Sequence, residues 1–153
     1  MTQDPLAFQV FNEIGIIEHL SRTMFMGVLP SGMTVAQFTV LNHFIRLGHH
    51  ERAPADLARA FQITRPTMTS TLTRMARAGL VDIRTDPADG RAKLVSVTPK
   101  GEAMRARCIA AIGPLVPLID TAVSGAELAA LLPALQKMRA ALDALRDPPI
   151  RDA

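Results

Sequence analysis

Guanidinium and short hydroxyl side chains crowd one stretch of this chain. Residues 65–77 carry Arg65, Arg74 and Arg77 together with Thr67, Thr69, Ser70 and Thr73, and no carboxylate interrupts them. Guanidinium forks bind phosphate oxygens or a guanine edge bidentately, and small hydroxyls accept or donate a hydrogen bond while letting the backbone lie close to a polar surface. This is chemistry for recognising a polyanion rather than for making or breaking bonds. A second basic group stands further on, where Arg84, Arg91 and Lys93 flank the turn-forming pairs Asp86-Pro87 and Asp89-Gly90.

Other reactive side chains form no recognisable site. His49-His50-Glu51, His19 and His43 raise the question of a metal, but no His-Glu-x-x-His or Cys-x-x-Cys spacing is present. The His pair reads as a solvated helix end, and His43 as core or pocket packing. Cys108 is the single cysteine, which excludes an intrachain disulfide and reads as a small buried hydrophobe. There is no glycine-rich phosphate loop, nucleophile elbow or carboxylate pair assignable to one cleft, so neither an enzyme nor a cofactor is expected.

The elements that must position the basic residues can be read from length, charge and periodicity. The 153 residues fit one domain with an oligomerisation element, and 48% hydrophobic residues suffice for a core. Charge is uneven: residues 46–107 hold 12 Lys or Arg against 6 Asp or Glu, whereas both flanks are mildly acidic. Arg supplies 14 of the 17 cations. No basic leader begins at Met1, and no apolar run is long enough to span a bilayer, so a cytoplasmic protein without membrane contact is expected.

Leu6, Val10, Ile14, Ile17, Leu20, Met24 and Val28 recur at helical steps and predict a helix over 6–28. Phe8, Phe11, Ile16 and Phe25 lie off that stripe, implying burial on more than one side. Thr34 caps a second predicted helix, 35–47, with Val35, Phe38, Leu41, Phe44 and Ile45 inward and Gly48 closing it. Pro54 opens a short helix to Phe61, and Thr64 caps the basic helix 65–78, with Pro66 in its first turn and Met68, Leu72, Met75 and Ala76 inward. Gly79 closes that helix. Alternating residues predict strands 81–84 and 93–97, a hairpin with a basic tip. Thr98-Pro99 starts a helix interrupted at Gly113-Pro114 and Pro117. Ser124 and Glu127 form a capping box for the last helix, which reaches about Arg146 with a kink at Pro133 and a stop at Pro148-Pro149.

Helix, short helix, turn, hydroxyl-rich helix and two-stranded wing make a winged helix-turn-helix, suited to laying one helix in the major groove of duplex DNA. Taken with Pro54-Ala55-Asp56-Leu57-Ala58, Arg74-Met75-Ala76-Arg77-Ala78-Gly79-Leu80-Val81, the wing Asp86-Pro87-Ala88-Asp89-Gly90-Arg91 and Val97-Thr98-Pro99-Lys100-Gly101, the chain resembles the MarR (multiple antibiotic resistance regulator) family of bacterial transcription regulators. The resemblance implies a mainly α fold with a small β-hairpin wing, flanked by N- and C-terminal dimerisation helices. Residues 1–34 and 113–153 would form the dimerisation region and 35–112 the winged lobe. It also implies a homodimer on a pseudo-palindromic operator, released by a small-molecule or redox signal. Ser70 stands where many relatives have a larger polar or basic residue. Cys108 lies after the wing rather than in the first helix, which argues against peroxide sensing.

These readings assign DNA contacts to Arg65, Pro66, Thr67, Thr69, Ser70, Thr73, Arg74, Arg77, Arg84, Arg91 and Lys93, with Arg91 as a minor-groove finger. A ligand-responsive repressor is the expected function; a winged-helix module that binds protein and never DNA is the alternative. His19, Met26, Phe38 and His43 are candidate lining residues for a small aromatic or apolar effector, competing with plain core packing.

Overall fold

A computed structural model describes residues 4–146, so the expected leaderless start at Met1 and stop at Pro148-Pro149 lie outside the described residues. The elements run α1 (Leu6–Val28), α2 (Val35–Leu47), α3 (Pro54–Ala60), α4 (Arg65–Arg77), β1 (Val81–Thr85), β2 (Lys93–Val97) and α5 (Pro99–Ile112). A 3-10 turn (Gly113–Leu115), α6 (Val116–Asp120) and α7 (Gly125–Arg146) follow. The described chain divides into two compact units, one through residue 112 and one from residue 113.

In the first unit, α2, α3, α4, the hairpin and the start of α5 enclose one core. Val40, Leu41, Phe44, Leu57, Ala58, Met68, Leu72, Met75, Leu80, Val81 and Val95 are buried together. The face of α2 is rotated from the predicted one: Gln37, Val40, Leu41 and Phe44 are buried, while Val35, Phe38 and Ile45 are half-buried. Gln37 is there because it completes a capping box, its side chain accepting from the Thr34 amide at 3.0 Å while Thr34 Oγ1 accepts from its own amide at 3.2 Å.

Two sequence details set the start and end of α4. Thr64 Oγ1 accepts from the Thr67 amide at 3.3 Å, and Gly79 closes the helix with φ +73°, a left-handed conformation that costs a residue without Cβ little. Thr71 joins the predicted inward residues of α4; it is buried and returns its hydroxyl to the Thr67 carbonyl at 3.1 Å. β1 and β2 pair antiparallel from Val81 with Val97 to Thr85 with Lys93. Arg52, between α2 and α3, adds a single bridge to the other side of β2, its amide donating to the Val95 carbonyl at 3.0 Å and its carbonyl accepting from the Val95 amide at 2.9 Å.

α5 is fastened to the end of α4. Thr98 Oγ1 donates to the Gly79 carbonyl at 2.6 Å and accepts from the Gly101 amide at 3.0 Å, and Lys100 Nζ donates to the Ala78 carbonyl at 2.7 Å. Helix α1 packs on α2 and α5, with Phe25 edge-on to Phe38 at a centroid separation of 4.7 Å. No residue of α1 is buried. Of the predicted stripe only Ile14 and Val28 are half-buried, while Phe25, read as off the stripe, makes the ring contact.

In the second unit the expected interruption is a 3-10 turn at Gly113–Leu115, after which Pro117 sits in the first turn of α6. The capping box is formed, with the Ser124 amide donating to Glu127 Oε2 at 2.9 Å and the Glu127 amide to Ser124 Oγ at 3.3 Å. Helix α7 continues through Pro133. Among the described residues, no single helix is long and apolar enough to cross a membrane.

Candidate nucleic-acid interface

The buried stripe of α4, Met68, Thr71, Leu72 and Met75, fixes which side chains face outward. Arg65, Pro66, Thr67, Thr69, Ser70, Arg74 and Arg77 are exposed, and Thr73 is half-buried at the edge of that face. The outer surface therefore presents three cations and short hydroxyls with no acidic group among residues 65–77. Thr67 Oγ1 lies 2.8 Å from Thr64 Oγ1, and Arg74 Nε leans back on the Ser70 carbonyl at 3.4 Å. Arg77 is exposed in the last turn of the helix, a position where its cation is favoured by the carbonyl end of the dipole.

The wing tip is shaped by its aspartates. Asp86 Oδ1 accepts from the Ala88 amide at 2.8 Å and Asp89 Oδ1 from the Arg91 amide at 3.0 Å, short-range turns that leave the Arg91 side chain exposed. Lys93 donates to Thr85 Oγ1 at 2.9 Å. Arg84 is differently engaged: both arms of its guanidinium meet Glu51, Nε to Oε1 at 2.7 Å and Nη2 to Oε2 at 2.6 Å. That hydrogen bond holds the Glu51 carboxyl below the usual carboxylate range and pushes the Arg84 guanidinium up.

The effector candidates have different surroundings. Phe38 is half-buried against Phe25; Met26 is 62% exposed on α1. His19 is exposed and lines a shallow surface depression with Phe11, Asn12, Gly15, Ile16 and Leu20 of its own helix. His43 lies edge-on to Phe61 at 5.0 Å and 5.7 Å from His49, whose ring nitrogens approach Arg52 Nη2 at 2.6 and 2.9 Å. Burial, then the nearby cationic groups His49, Arg46 and Arg52, lower the His43 pKa. Of the His pair only His50 is exposed, so sequence spacing missed the packing of His49. Cys108 is fully buried, and burial pushes its thiol up. Among the described residues no cluster of three or more His, Cys, Asp or Glu could hold a metal ion.

With this geometry in hand, the family model described as the MarR family matches residues 31–92, from the turn before α2 to the wing. Solved structures extend the likeness along the chain. A cysteine-to-serine mutant of MarR from E. coli is 26% identical with a TM-score of 0.72, covering 90% of this chain and 98% of that one. Over residues 31–92 the chain is similar to the MarR family. The same mutant complexed with operator DNA matches at 26% identity and a TM-score of 0.66, covering 85% of this chain and 93% of that one. BpsR from Bordetella bronchiseptica, whose DNA binding is regulated by 6-hydroxynicotinic acid, is 26% identical with a TM-score of 0.67, covering 86% and 98%. No curated protein sequence matches the chain.

Proposed function

We propose that this chain is a MarR-family DNA-binding transcription regulator, acting as a homodimer on a pseudo-palindromic operator and relieved by a small ligand. The observation that carries the reading is the outer face of α4, where Arg65, Thr67, Thr69, Ser70, Arg74 and Arg77 are exposed together over a buried apolar stripe. A helix so built enters the major groove with its hydroxyls at base edges and its guanidinium groups on guanine or phosphate. Arg91 at the wing tip is the complementary minor-groove contact, and Lys93 a phosphate contact. The MarR relative complexed with operator DNA supports the reading of a DNA-binding protein.

Two further parts follow from exposed apolar surface. Leu6, Phe8, Phe11, Ile17 and Leu20 of α1, and Leu131, Leu132, Leu142 and Leu145 of α7, are exposed in the single chain. Contiguous apolar surface of this kind marks association. Residues 1–34 and 113–153 are thus assigned to dimerisation and 35–112 to the winged lobe. The ligand is read as a small aromatic acid, supported by BpsR and its response to 6-hydroxynicotinic acid, with His19, Met26, Phe38 and His43 as candidate contacts. It releases DNA only by binding more tightly to the arrangement that does not fit two successive major grooves.

Mobility shift of fragments from the protein's own upstream region, across a salt series, tests the reading. A retarded complex whose logarithmic affinity falls linearly with logarithmic salt is expected. Absence of any DNA complex at low salt would favour the protein-binding winged-helix alternative.

A further inference from the structure

Glu51 lies in the connection between α2 and α3, 33 residues from Arg84. Its neighbour Arg52 is bonded through both backbone groups to Val95, so the connection runs along β2 as one residue of a third strand. From there the Glu51 carboxylate reaches over β2 to Arg84 on β1, which pairs with Leu94 in the hairpin register. Connection, β2 and β1 are thereby tied in the outer half of the ladder, one pair before Thr85 with Lys93 and the tip loop.

The register also separates the basic residues of the wing. Side chains alternate across a strand, so Arg84 shares a face with Asp82, Leu94 and Ser96, whereas Lys93 shares the opposite face with Ile83, Thr85 and Val95. The contact of Lys93 with Thr85 agrees with this division. Arg84 and Lys93 therefore do not address one run of phosphates together. To reach a phosphate, Arg84 would have to surrender two charge-assisted bonds of 2.6–2.7 Å.

A two-stranded hairpin is marginal by itself, and of this one only Val81 and Val95 are buried. The turns around Asp86 and Asp89 hold the tip in shape. A small shift of the strands where Arg84 is held, just before the tip loop, is accordingly passed on to Arg91.

We propose that Glu51 is a positioning residue for the wing: by gripping Arg84 it holds the outer half of the hairpin against the connection between α2 and α3 and so places Arg91, and Arg84 acts on DNA only through this clamp. The proposal rests on the DNA-binding reading above and adds to it a residue outside the DNA-facing surface.

Full-length wild type, Glu51→Gln, Arg84→Ala, their double variant and the charge reversal Glu51→Arg with Arg84→Glu are compared on one retarded promoter fragment over a salt series. Backbone hydrogen exchange in residues 93–97 is followed without DNA. Each single variant is expected to weaken binding about fivefold or more, the low end of what losing one well-placed Arg contact costs, with the salt slope unchanged. The double variant should be no weaker than the singles, the reversal should recover affinity, and exchange should quicken in the singles and be restored by the reversal. Tighter binding by Glu51→Gln, or a slope steeper by about 1 per protomer, would show Arg84 to be a phosphate contact held in reserve and overturn the proposal. A slope reduced by Arg84→Ala alone, or unchanged affinity and exchange in both singles, would overturn it as well. If wild type binds no DNA, the DNA reading falls; exchange then decides separately whether the clamp exists.

Discussion

Replacing Gly101 by Ala tests the junction that fixes the end of α4. Gly101 is in the first turn of α5, buried against the chain that leaves α4. A Cβ built there overlaps the Leu80 carbonyl oxygen and lies 2.8 Å from Val97 Cγ1, against about 3.5–4.0 Å for a relaxed carbon contact. The obstacle at Leu80 is backbone, so no rotamer change clears it. Helix α5 must move away, and the Thr98 amide then loses the same Leu80 carbonyl, which it now reaches at 3.1 Å. Overpacking costs about 1–3 kcal/mol and the hydrogen bond about 1 kcal/mol, while the better helix propensity of Ala returns about 1 kcal/mol. A net loss of about 1–3 kcal/mol remains, or roughly 3–10 °C in melting temperature for a chain of this size. Thermal melts by circular dichroism at fixed protein concentration measure it, with Gly113→Ala as control, since a Cβ there meets nothing within 4 Å. DNA affinity should fall in parallel, because Thr98 and Lys100 of the displaced turn hold the last carbonyls of the α4 end. A Gly101→Ala protein that melts at or above the wild-type temperature would refute the argument, since it would leave only the propensity gain.

Further outcomes are expected. Arg77→Ala should weaken binding to all duplexes about equally and make the salt slope shallower by about 1 per protomer, whereas Thr69→Ala should change which sequences are preferred, as read by competition mobility shift. Sedimentation at micromolar concentration should show a dimer, and paired charges on the exposed apolar surface of α1, introduced as Phe11→Glu with Leu20→Glu, should yield monomers that no longer bind DNA. The folded-state pKa of His43 is lowered, so the unfolded chain takes up a proton first as pH falls below the ordinary value of 6.5. Stability should therefore decline from pH 6.5 downwards, and His43→Gln should flatten that part of the profile in denaturant titrations. Cys108, buried with its thiol pushed up, should react with a thiol reagent only as fast as the chain opens.

What could be read from the residues alone was mostly local. The bounds of α1, α2 and β2 follow from periodicity and from Thr34, Gly48 and the turn signals beside them, and the α4 start from Thr64 and Pro66. The exposed basic face of α4 could be read for the same reason, since one apolar stripe leaves the rest of a helix to solvent. What depends on partners distant in sequence was not legible. Val40 and Thr71 are buried because α2 and α4 pack on each other and on their neighbours. Glu51 stood out only as part of a possible metal motif, and its grip on Arg84 requires both the hairpin register and the Arg52 bridge. The apolar residues of α1 were legible as a surplus, yet not which of them would meet α2, because Phe25 and Phe38 find each other through the angle between two helices.

The bridge from Arg52 to Val95 also has a bearing on how these molecules behave when crowded. A lone hairpin offers two unpaired edges, and any strand edge is a template for a neighbour's backbone. Here the outer side of β2 is occupied at Val95, its most deeply buried position, by a residue of the same chain. Beyond that point towards the tip the next outward strand residue is Lys93, whose charge discourages a second strand from docking. Were proteins seated side by side on a duplex, their wings would come to high local concentration, and on the β2 side the bridge at Val95 would leave a neighbour's strand no continuous edge to extend.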